Sequence, residues 1–77
     1  SPELRRRTDD LTARLTQLRD LFDIPGKFTQ RATLEAKQAE PGFWDNQDAA
    51  RGTIQKIKLL NVLLKPYEEL KQAQDDV

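Results

Sequence analysis

The chain has no cysteine and no histidine. Without cysteine, neither a disulfide nor a thiolate metal site can staple it, and a reducing compartment suits it. Without histidine, the commonest metal ligand and acid–base group are both missing. No apolar run approaches the roughly 20 residues that span a bilayer, and no signal-peptide pattern opens the chain. No charge sign dominates: thirteen basic residues balance thirteen acidic ones. A zero net charge exerts no global pull toward nucleic acid or membrane. Glycine is scarce and aromatics make up 6%, while 34% of the residues are charged. That profile is helical. At 77 residues the chain is one small domain or part of a larger one, with a thin core.

What is present is helical periodicity. Leu4, Leu11, Leu15, Leu18 and Phe22 form a narrow apolar stripe, with Thr8 filling its gap and Leu21 widening its end. They predict a first helix over 2–22, with Ser1 as cap and Pro2 in the first turn. Asp23-Ile24-Pro25-Gly26 reads as a turn. A weaker second helix is expected over 27–39, carrying only Phe28, Ala32, Leu34, Ala36 and Ala39 as apolar content. Glu40-Pro41-Gly42 ends it, because proline cannot continue a helix and glycine frees the backbone.

A long third helix is expected over 47–75. Ala50, Ile54, Ile57, Leu60, Leu64, Tyr67 and Leu70 mark its main stripe, and Leu59, Val62 and Leu63 broaden it. A helix apolar on more than one side touches more than one partner. Asp45 or Asn46 caps it; with Asp45 as cap, Asp48 completes a carboxylate form of the capping box. Pro66 lies inside the pattern and should kink or break the helix. The predicted fold is therefore all-α, an antiparallel three-helix bundle or a long helical hairpin with an extra short helix. Acidic residues gather at the end of the third helix, against its dipole. They make residues 1–77 read as cut from something longer.

Pro41, Phe43, Trp44 and Asp45 form the most distinctive stretch. An apolar residue before a helix cap folds back as a hydrophobic staple, so the two aromatics read as a plug closing the corner. The alternative is an exposed docking patch. No catalytic constellation exists: no histidine base, no cysteine nucleophile and no glycine-rich phosphate loop. Asp9-Asp10 and Asp75-Asp76 are neighbours in a helix and point about 100° apart, which suits a solvated face better than a metal. Arg5, Arg6 and Arg7 could touch phosphates or simply pair with nearby acids. Arg51, Lys56 and Lys58 lie in a segment of the third helix with no acid from Ala49 to Lys65. A small RNA-binding module would bring these two basic groups onto one face.

Four pieces of the chain resemble the N-terminal region of the bacterial peptide chain release factor 2 family, in order and spacing. They are "DLTARLTQLRDLFD" (Asp10–Asp23), "LEA" (Leu34–Ala36), "PGFWDN" (Pro41–Asn46) and "YEELKQAQDDV" (Tyr67–Val77). The Pro-x-Phe-Trp corner is the most specific. Gly42 stands where the family usually has Asp, and Arg31 and Gln38 where it often has apolar residues.

The resemblance implies a cytoplasmic translation termination factor that reads a stop codon and promotes peptidyl-tRNA hydrolysis through motifs absent from these 77 residues. This piece would then be no enzyme, with no cofactor, no metal, no small-molecule substrate and no membrane. Its expected work is positioning against the ribosome, at the stalk base of the large subunit, with Arg5, Arg6, Arg7, Arg51, Lys56 and Lys58 as contact residues. A homodimer through Leu59, Val62 and Leu63 is a further expectation. The rival is a free-standing coiled-coil interaction module, which needs no aromatic corner.

Overall fold

The computed structural model describes residues 1–76. Three α-helices dominate: α1 (Pro2–Leu21), α2 (Ile24–Gln38) and α3 (Gln47–Asp75), with a short 3-10 turn at Phe43–Asp45. The fold is all-α.

The joint between α1 and α2 is tighter than the sequence pattern implied. Only Phe22 and Asp23 separate the helices, and α2 starts at Ile24 rather than Lys27. Pro25 falls in its first turn, where a missing N–H costs nothing. Asp23 adopts a left-handed conformation (φ 47°) and its carboxylate accepts the Gly26 N–H at 3.3 Å. A Cβ on Gly26 would collide with that carboxylate, so this glycine makes room for the cap. Lys27 Nζ donates to the Phe22 carbonyl at 2.8 Å and satisfies the end of α1.

The helices form an elongated hairpin whose first arm is broken at Asp23. α2 lies antiparallel to α3: Arg31 bonds Asn61 and Glu68, while Lys37 borders the cleft beside Ala50 and Thr53. α1 then carries on past the start of α2, since the Gln74 amide donates to Thr12 Oγ1 at 2.7 Å. At 1.5 Å per residue the two segments of the first arm run about 52 Å and α3 about 43 Å. The overall extent of 57 × 23 × 15 Å agrees with this arrangement. The core is thin, with Leu15, Ile24, Ala50 and Leu64 buried and Thr53 beside them. The Thr53 hydroxyl is satisfied by the Ala49 carbonyl at 3.1 Å.

At the corner, Gly42 takes φ 82°. The Phe43 N–H then reaches the Glu40 carbonyl and the Asp45 N–H the Gly42 carbonyl. This turn absorbs Asp45, so Asn46 is the cap of α3, its side chain accepting the Ala49 N–H at 3.0 Å. The capping-box reading with Asp45 is thereby corrected.

Pro66 does not end α3, which continues to Asp75. The carbonyl that loses its donor belongs to Val62, one turn earlier. Val62 is 75% exposed, so water can replace the missing bond.

Candidate functional site

The corner aromatics part company. In a 3-10 turn successive side chains diverge by about 120°, so only one of two neighbours can face the hairpin. Phe43 is half-buried and borders the cleft with Ala50 and Thr53. Trp44 is 61% exposed and packs edge-on against Phe43, ring centres 5.0 Å apart. The expected plug is thus Phe43 alone, and the tryptophan stands at the surface. Beside it, Gln47, Arg51 and Ile54 complete a shallow recess.

The two basic groups do not converge. Arg5, Arg6 and Arg7 are exposed on the first turns of α1, before the Thr12–Gln74 contact. Arg51, Lys56 and Lys58 are exposed toward the corner end of α3. About 34 Å of α3 separates Arg51 from Gln74. One RNA surface using both groups is excluded by this geometry. Arg7 pairs with Glu3 at 3.0 Å and Arg51 approaches Asp48 at 3.9 Å, both fully at the surface. Such pairs add little stability and leave the guanidinium groups accessible.

The best-organised polar cluster is one that sequence reasoning missed. The Arg31 guanidinium donates to Asn61 Oδ1 at 2.8 Å and to Glu68 Oε1 at 2.7 Å. It lies 5.1 Å from the Phe28 ring centre, and Phe28 in turn meets Tyr67 edge-on at 6.1 Å. Hydrogen bonding to Arg31 holds the Glu68 carboxyl below its usual range, and the same bond raises Arg31. The spacing of Phe28, Arg31 and Glu35 along one helix was the available signal. This cluster ties α2 to α3. Among the described residues no three potential metal-ligating side chains come together, and no helix is long and apolar enough to cross a membrane.

Comparison with curated proteins aligns 75 residues, 97% of this chain, with peptide chain release factor 2 from Staphylococcus aureus at 36% identity. The corresponding proteins of Staphylococcus haemolyticus and Staphylococcus saprophyticus are 32% identical over the same coverage. The chain is similar to the N-terminal part of peptide chain release factor 2. It spans about a fifth of the length of these relatives. The match to release factor 2 is too long to omit the Pro41–Asn46 corner or the Arg31 cluster. No family model and no solved structure matches the chain.

Proposed function

We propose that this chain is the helical N-terminal portion of a cytoplasmic translation termination factor. Its part in stop-codon-dependent peptide release is positioning, through contact with the ribosome at the large-subunit stalk base. The observation that carries the reading is the release factor 2 similarity, which extends over nearly all 77 residues. The elongated hairpin supports it, with accessible arginines near each end and Trp44 next to Arg51. An aromatic face beside a guanidinium suits a nucleotide: the ring stacks on a base while the cation meets a phosphate. No side chain here is proposed to take part in the hydrolysis.

Two measurements test this. Reading the gene past the Val77 codon should reveal the two motifs that the release-factor resemblance implies, a codon-reading Ser-Pro-Phe and then a Gly-Gly-Gln that promotes peptidyl-tRNA hydrolysis; a frame closing shortly after Val77 would favour the coiled-coil module instead. In the full-length protein, Arg51→Glu should weaken ribosome binding and lower its salt dependence by about one unit of slope per lost phosphate contact. An unchanged slope would remove Arg51 from the contact surface.

A further inference from the structure

Each arm of the hairpin has one weak point in its backbone. In the first arm, α1 ends at Leu21 and α2 begins at Ile24. Among the described residues no backbone hydrogen bond runs from α1 to α2, and the Lys27 ammonium bridges the joint to the Phe22 carbonyl at 2.8 Å. In α3, Pro66 withholds the N–H that the Val62 carbonyl would receive. Val62 and Pro66 are both exposed, so this gap opens on the outer face, away from the α2–α3 seam. The two weak points stand at nearly the same level. Phe28, near the start of α2, meets Tyr67, the residue after Pro66, with ring centres 6.1 Å apart. Sharp helix bends concentrate at prolines, and hinges fall on residues at element ends. A two-armed hairpin bends only where both arms yield together.

Arg31 spans this level. Its Nη1 donates to Asn61 Oδ1 at 2.8 Å and to Glu68 Oε1 at 2.7 Å. Asn61 precedes Pro66 and Glu68 follows it. One nitrogen on α2 therefore grips α3 on both sides of its break. The Arg31 side chain is only 15% exposed, and its guanidinium rests 5.1 Å from the Phe28 ring centre, which limits its freedom to let go.

We propose that the Asp23 joint and Pro66 form a paired hinge across the bundle, and that Arg31 is the clamp that holds it straight. One moving part is α1 with the end of α3, joined by the Gln74 amide on Thr12. The other is α2 with the corner half of α3. When the bond to Glu68 breaks, Arg31 keeps Asn61 and the first part swings about Ile24, which is 1% exposed and serves as the pivot. The swing redirects the turns bearing Arg5, Arg6 and Arg7 relative to the corner bearing Trp44. The hinge is a property of the packed helices and is independent of the release-factor reading.

Double electron–electron resonance on the 77-residue chain tests this. No native cysteine competes for the labels. Ala13→Cys and Gln55→Cys, both at exposed positions, place spin labels on opposite sides of the hinge; Gln30→Cys and Asp48→Cys, also exposed, place a reference pair on one side. The cross-hinge pair should show a main distance and a minor second population. Glu68→Ala should raise that minor population several-fold, and adding Pro66→Ala, which restores the helical bond, should bring it back down. The reference pair should keep one distance throughout. Absence of a second population in Glu68→Ala, or one that Pro66→Ala leaves in place, would overturn the proposal. So would an equal broadening of the reference pair, because the hairpin would then be loosening along its whole length.

Discussion

Arg31 reaches across the hairpin to Glu68, 2.7 Å away, from a position 37 residues earlier in the chain. The guanidinium side chain is 15% exposed and the carboxylate 40%. The pair therefore sits at the edge of the seam, dry enough to be strong and wet enough to avoid the full penalty of a buried charge.

This pair makes stability depend on acid. Glu68 has a folded pKa below its unfolded value. Its contribution is fully present above the ordinary glutamate pKa of about 4.3 and is lost as pH falls through the depressed folded value. Glu68→Gln should flatten the melting temperature against pH below about pH 4.5 and leave the neutral-pH value lower by a modest amount. A wild-type acid slope persisting in Glu68→Gln would show that other carboxylates dominate.

Arg31→Ala removes both cross-seam hydrogen bonds and the contact with Phe28. The expected loss is about 1.5–3 kcal/mol, the range for hydrogen bonds to charged groups. Urea denaturation measures it. A double-mutant cycle with Glu68→Gln should show coupling, since the two residues share one bond.

Leu64 is completely buried and Ile24 is 1% exposed. Either replaced by alanine should lose about 2–5 kcal/mol. A domain this small holds little more than that in reserve, so the variants should be largely unfolded by circular dichroism at room temperature.

Trp44→Ala should do little by comparison. The exposed ring forfeits mainly its edge-on contact with Phe43, worth about 1 kcal/mol, so the melting curve should shift only slightly. Phe43→Ala should shift it further, because Phe43 is the half-buried partner. The reverse order would restore the tryptophan plug. Native Trp44 fluorescence should also be quenched readily by iodide.

Pro66→Ala restores the hydrogen bond to the Val62 carbonyl. Proline costs up to about 3 kcal/mol in a helix interior, and water at the exposed Val62 recovers part of it. A gain of about 1–2 kcal/mol in urea denaturation is expected. A loss would mean that the proline bends α3 to fit its partners.

Much of the architecture was legible along the chain because its causes are local. Apolar spacing marks the helices, Pro41-Gly42 marks the corner, and Ser1 and Asn46 are short polar caps within three residues of the N–H groups they satisfy. The start of α2 was harder to read. Asp23-Ile24-Pro25-Gly26 has the composition of a turn, yet Pro25 and Gly26 serve the first turn of a helix capped by Asp23.

Other features depended on residues distant in sequence. Whether α1 folds back beside α2 or extends beyond it turns on which end of α3 meets Thr12. Arg31 stands where the resembled family often has an apolar residue, and no neighbour in sequence reveals its role; Asn61 and Glu68, 30 and 37 residues away, make it the tie between two helices. Trp44 seemed a plug because large rings are usually buried, but a 3-10 turn can point only one of two adjacent side chains inward. Helix formation follows from spacing and caps within a few residues. Exposure and pairing follow from which surfaces meet, and those contacts exist only once the distant parts of the chain are packed together.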